Sequence, residues 1–153
     1  MMKFNSLVTI IFVFCMVSCH KSKPYVIDGH EARILHSECG RITVMGLTLF
    51  HEHIIAELDG NFTITPSAFN IQLIPDNVEV ANLTFFHNDI EVTDLTQAIE
   101  VNGTETEKIS IRFDYNSDSY FDRNSVLILL LPSKFIMCED KPIITDTIKV
   151  KLK

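Results

Sequence analysis

The sequence predicts an all-β fold, two antiparallel sheets packed as a sandwich, and three observations carry the prediction. Apolar residues alternate with polar ones over short runs, the period of a half-buried strand. No stretch keeps a helical period beyond two turns. The runs are separated by turn signals built from Gly, Pro, Asn and Asp, at spacings expected of sandwiches and barrels.

The elements follow in order. Tyr25-Val-Ile27 reads as a short edge strand before an Asp28-Gly29 turn, and Ala32 to His36 as another. Arg41-Ile-Thr-Val-Met45 alternates; Gly46 shifts the phase, and Leu47-Thr-Leu-Phe50 resumes on the other parity. A glycine at such a shift predicts a bulge or a switch between sheets. Glu52 to Leu58 stays extended and meets a turn signal at Asp59-Gly60. Phe62 to Thr65 is a short strand stopped by Pro66, and Ala68 to Ile74 alternates up to Pro75. Val78 to Phe86 alternates with a slip near Ala81-Asn82. Asp94 to Ile99 is a loop or a single helical turn, and Asn102-Gly103 is a turn. Lys108 to Asp114 places Ile109, Ile111 and Phe113 on one face. Val126 to Leu131 is continuously apolar, as in a strand buried on both faces or in a sandwich core. Thr147 to Leu152 alternates again, with Ile148, Val150 and Leu152 inward and lysines outward, a face that resists strand addition. Eight or nine short strands resemble an immunoglobulin-like sandwich. Trp is absent, so the Cys…Trp…Cys hallmark of antibody domains is missing. The alternative is a small antiparallel barrel.

The N-terminal segment has a different character. Lys3 precedes Leu7-Val-Thr-Ile-Ile-Phe-Val-Phe-Cys-Met-Val17, an apolar run interrupted only by Thr9. That length suits the core of an export signal and falls short of the roughly 20 residues of a membrane-spanning helix. The run ends at Met16-Val17-Ser18-Cys19 and gives way to His20-Lys-Ser-Lys23-Pro24. These residues resemble the lipobox and tether of bacterial lipoproteins of the Bacteroides type, with Met16 where Leu is usual. The resemblance implies cleavage before Cys19, a diacylglyceryl group on its thiol, and often an acyl group on its amine. It implies an outer-membrane destination, because His20 is not the Asp that retains enteric lipoproteins in the inner membrane. The tether has no acidic surface-export cluster, which favours the periplasmic face. The other reading is an ordinary secretory signal with Cys19 free or bridged. The expected organisation is a signal at 1–18, a lipidated Cys19 and tether at 19–24, and one sandwich domain at 25–153.

Cleavage would leave 135 of the 153 residues, enough for a core without staples. The whole chain carries a net charge of −7, and loss of Lys3 makes the body more acidic still. An acidic body without a basic patch argues against nucleic acid and against electrostatic docking on anionic lipid. Attachment is expected through lipid on Cys19, with an envelope protein or glycan as partner. Cys39 and Cys138 form one possible disulfide in an oxidising compartment; two free buried thiols are the alternative.

His51-Glu52-His53 places two imidazoles on one strand face, a long-shot metal pair. His36, Glu57 or His87 would have to complete it. Asp114-Tyr-Asn-Ser-Asp118 has the oxygen alternation of half a calcium loop but lacks its glycine and its final glutamate. Asn61-Phe-Thr63, Asn82-Leu-Thr84 and Asn102-Gly-Thr104 are N-glycosylation sequons, relevant to a eukaryotic or viral glycoprotein. Asp146-Thr147-Ile148 resembles the acceptor of Bacteroides-type O-glycosylation, which would modify Thr147. Nucleophile elbows, phosphate loops and Cys/His settings of known spacing are missing. The expectation is a non-catalytic binding or scaffolding lipoprotein without a cofactor. A metal-assisted enzyme and a secreted immunoglobulin-like glycoprotein are the alternatives.

Overall fold

The computed structural model describes residues 25–27, 30–48, 52–74, 78–117 and 127–151. The chain folds as an all-β, antiparallel two-sheet sandwich. Its strands are β1 (Tyr25–Ile27), β2 (His30–Ser37), β3 (Gly40–Thr48), β4 (Glu52–Ile64), β5 (Ile71–Ile74), β6 (Val78–His87) and β7 (Ile90–Glu91). They continue as β8 (Ile99–Asn102), β9 (Glu107–Ser117), β10 (Leu127–Leu130), β11 (Ser133–Cys138), β12 (Lys141–Ile144) and β13 (Ile148–Lys151). Between β4 and β5, Pro66–Ala68 makes one 3-10 turn.

The large sheet runs β1-β2-β3-β4-β9-β6-β7, and the small one runs β13-β10-β5. The large sheet's path is open at β1 and β7, so the barrel alternative is excluded.

The long strand β4 organises the molecule. Its first half pairs with β3, from Thr48↔Glu52 to Gly40↔Gly60, and with β9, from Glu52↔Phe113 to Leu58↔Glu107. Its second half takes new partners: β8, from Asn61↔Asn102 to Ile64↔Ile99, and β11 at Thr63 and Ile64. One strand therefore belongs to two sheet regions, and the change of partners falls at Gly60. This corrects two expectations. Asp59-Gly60 is not a turn, and β3 passes Gly46 in unbroken register, with Met45↔Ile55, Gly46↔Ile54 and Leu47↔His53. The local Asp-Gly preference yields because both edges of β4 find partners on either side of Gly60, and satisfied backbone groups outweigh turn propensity.

The slip near Ala81-Asn82 is a β-bulge against β9, with Asn82 at φ 49°. Asn suits this left-handed conformation because its short polar side chain tolerates it. The hairpin β11–β12 went unpredicted. Its Phe135-Ile-Met-Cys138 run is short and non-alternating, and Pro142 sits inside its second strand.

The core lies between the sheets. Ile42, Val44, Ile54, Leu58, Ile109, Ile111 and Phe113 from the large sheet face Leu73, Ile128, Leu130 and Val150 from the small one. Phe69, Phe85 and Phe135 stack in T-shaped and tilted pairs with centroids 5.0–6.0 Å apart, tying the β11 hairpin to β6. Such pairs add about 0.5–1.5 kcal/mol beyond their area. Strand β10 is not buried on both faces. Ile128 and Leu130 are buried, while Leu127 and Leu129 are half-buried on the other side.

One residue violates the pattern. Glu52 begins the inward row of β4 and is only 4 % exposed, and among the described residues its Oε1 has no hydrogen-bond partner. A buried polar atom without a partner costs about 1–3 kcal/mol. Glu52→Leu should therefore raise stability by about that amount, read as a higher urea midpoint at unchanged slope. A lower midpoint would mean that this carboxylate is held by a group the fold depends on.

Candidate functional site

A concavity lies where β4 changes partners. The turn between β2 and β3 carries Glu38 and Cys39, and the turn between β11 and β12 begins at Glu139. A disulfide joins Cys39 to Cys138, with Cα atoms 5.6 Å apart. The bridge clips the two turns together and walls a cleft of about 460 Å³. Asn61, Thr63 and Glu100 line it from β4 and β8, with Glu38 and Glu139 from the turns.

Strand alternation explains this lining. Phe62, Ile64 and Val101 are buried, so Asn61, Thr63 and Glu100 project the other way. The Thr63 hydroxyl donates to Glu100 Oε2 at 2.9 Å. Lys141 Nζ donates to Glu38 Oε1 at 3.0 Å, and this hydrogen bond and charge hold the ammonium above its usual range. Below the cleft the Asn61 N–H donates to the Cys39 carbonyl at 2.9 Å, fixing the turn to β4.

Carboxylates and amide oxygens predominate here, so the cleft presents acceptors. It suits ammonium, guanidinium or hydroxyl donors. Sequence reasoning missed it because its residues come from four separate segments. Only the exposed parity of Asn61, Thr63 and Glu100 could have hinted at it.

The residues singled out by sequence are dispersed. His51 and Cys19 lie outside the described residues. Glu52 faces the core and His53 the opposite face of β4, so the two side chains do not converge. His87 pairs instead with Glu107, both partly buried. His36 is exposed on β2, remote in register from Glu52. Among the described residues no three His, Cys, Asp or Glu side chains are grouped to hold a metal ion. Of the candidate calcium loop, the part from Asp118 onward lies outside the described residues; Asp114 itself is in a strand. It lies within β9 opposite Ala81, where Asn82 Nδ2 donates to its Oδ2 at 3.0 Å. Thr147 is exposed immediately before β13. Asn61, Asn82 and Asn102 are exposed as well.

No protein-family model matches the chain, and neither a curated protein nor a solved structure matches it. The functional reading therefore rests on the residues themselves.

Proposed function

We propose that the protein is an envelope lipoprotein, anchored by lipid on Cys19 in the outer membrane and facing the periplasm. Its β-sandwich serves as a non-catalytic binding or scaffolding domain. The observation that carries this reading is the Cys39–Cys138 bridge. Such bridges persist in oxidising compartments outside the cytoplasm, where an export signal ending at Ser18-Cys19 would deliver the body. The acceptor-rich cleft beside the bridge supports a partner bearing amines or hydroxyls, on an envelope protein or a glycan. Among the described residues no helix is long and apolar enough to cross a membrane.

The test is metabolic labelling with radioactive palmitate in a Gram-negative host, followed by fractionation. Wild type should incorporate label and stay with the outer membrane through a molar-salt wash; Cys19→Ala should lose the label and become soluble in that wash. A labelled Cys19→Ala would overturn the anchor. A second reading, the secreted glycoprotein, is favoured by the exposure of all three sequon asparagines. Expression in a eukaryotic secretory system, with a mobility shift on amidase treatment, would support it.

A further inference from the structure

The small sheet carries no acidic residue: β5 is Ile-Gln-Leu-Ile, β10 is Leu-Ile-Leu-Leu and β13 is Ile-Lys-Val-Lys. Its register sets two rows on the face turned from the core, Ile74–Leu127–Lys151 and Gln72–Leu129–Lys149. Ile74 is 40 % exposed, and both lysines are exposed. Strand β13 is an edge of this sheet and packs towards β2 and β3. There Lys149 and Lys151 line a narrow seam with Arg33 of β2, whose Nη1 is buried without a hydrogen-bond partner among the described residues. The sequence argued for an acidic body without a basic patch. Within that body the fold brings Arg33 beside Lys149 and Lys151, more than a hundred positions further along the chain.

The seam lies close to the anchor along the chain. Strand β1 pairs Tyr25 with Ala32, which lines the same seam beside Arg33. Only residues 20–24 separate Tyr25 from Cys19. A chain of that length reaches at most about 20 Å.

We propose that the outer face of the small sheet, with Arg33, Lys149 and Lys151, docks on the anionic surface of the bilayer that holds the lipid of Cys19. The inference rests on the anchor reading above. Lysine stems lie along the aliphatic rows while their ammonium groups reach the phosphates, and Ile74, Leu127 and Leu129 meet the interface. The acidic remainder of the body is repelled by the same surface, so only this face makes the contact, and it sets one orientation. Charge complementarity of this kind acts within a Debye length, about 8 Å at physiological salt. The short tether keeps the face within reach of it. The lysines also guard the β13 edge against strand addition, a role with no dependence on lipid.

The test uses the full lipidated protein in vesicles of phosphatidylcholine alone or mixed with phosphatidylglycerol. Amine labelling of each lysine is read by mass spectrometry. On anionic vesicles Lys149 and Lys151 should be protected about fivefold relative to Lys134 and Lys141. Molar salt should remove the protection, and neutral vesicles should not produce it. Equal labelling on both vesicles, or protection by inorganic phosphate alone, would overturn the proposal. The unlipidated Cys19→Ala chain separates the two readings. Its salt-sensitive sedimentation with anionic vesicles should fall more than about tenfold in the Lys149→Glu, Lys151→Glu variant and persist in Lys134→Glu. If the wild type carries no lipid but this pattern holds, the anchor reading fails and the docking face stands.

Discussion

Alanine at Gly60 should prevent the native fold from forming, or leave it at least about 3 kcal/mol less stable. Gly60 has φ 147°, a conformation that side chains rarely adopt. A Cβ there would sit 2.1 Å from the Cys39 carbonyl oxygen and 2.8 Å from Gly40 Cα. Gly40 is its mirror: φ 142°, with a Cβ 2.2 Å from the Asp59 carbonyl oxygen and 2.7 Å from Gly60 Cα. The obstacles are backbone atoms of a paired strand, which cannot rotate aside as a side chain would. Relief would require β3 and β4 to separate where β4 changes partners, opening the cleft and straining the nearby disulfide loop. Gly103 supplies a graded comparison. Its Cβ would meet Gly60 C at 3.0 Å and Asn61 Oδ1 at 3.1 Å, at φ 66°, so Gly103→Ala should cost only about 1–2 kcal/mol. Urea denaturation of the two variants checks the ranking. A Gly60→Ala protein as stable as Gly103→Ala would refute the close approach of the two strands.

Breaking the Cys39–Cys138 bridge is expected to have the second largest effect. The cysteines are 99 positions apart. Cross-linking so distant a pair removes about 4–5 kcal/mol of unfolded-chain entropy in the simplest model, while measured losses run about 2–5 kcal/mol. The double variant Cys39→Ala, Cys138→Ala should therefore melt roughly 5–15 °C below wild type. Wild type with a strong reductant should melt close to the double variant. Cys138 is buried and Cys39 partly so, hence slow reduction of the folded protein is expected. A double variant that melted with wild type would show that the bridge is incidental. The bridge also positions Glu38 and Glu139 across the cleft, so its loss should weaken any amine or hydroxyl ligand found to bind there.

Strand periodicity was legible wherever one face is buried and the other wet. Lys108 to Asp114 and Ile148 to Lys151 alternate because their inward residues pack on the opposing sheet, and β9 and β13 cover them. The slip at Ala81-Asn82 was equally legible, since a bulge shifts parity by one residue. Gly60 was misread because a local Asp-Gly signal does not reveal whether a distant strand will satisfy the backbone on its far side. The β11–β12 hairpin was missed because Ile136 faces β4 while Phe135 packs with Phe69 and Phe85, which erases alternation.

By itself the sequence determined the fold class and the two-residue rhythm of the strands. It also carried the export-like character of residues 3–19 and the pair of cysteines that could meet. These properties are local, or follow from counting. Tertiary structure decided which strands pair and that β4 serves two sheet regions through Gly60. It also decided that Glu38, Asn61, Glu100 and Glu139 share one cleft, and that Arg33 meets Lys149 and Lys151. Those relations depend on pairing between segments far apart in the chain. Hydrophobic alternation tells a strand which face to bury but not which neighbour to bury it beside.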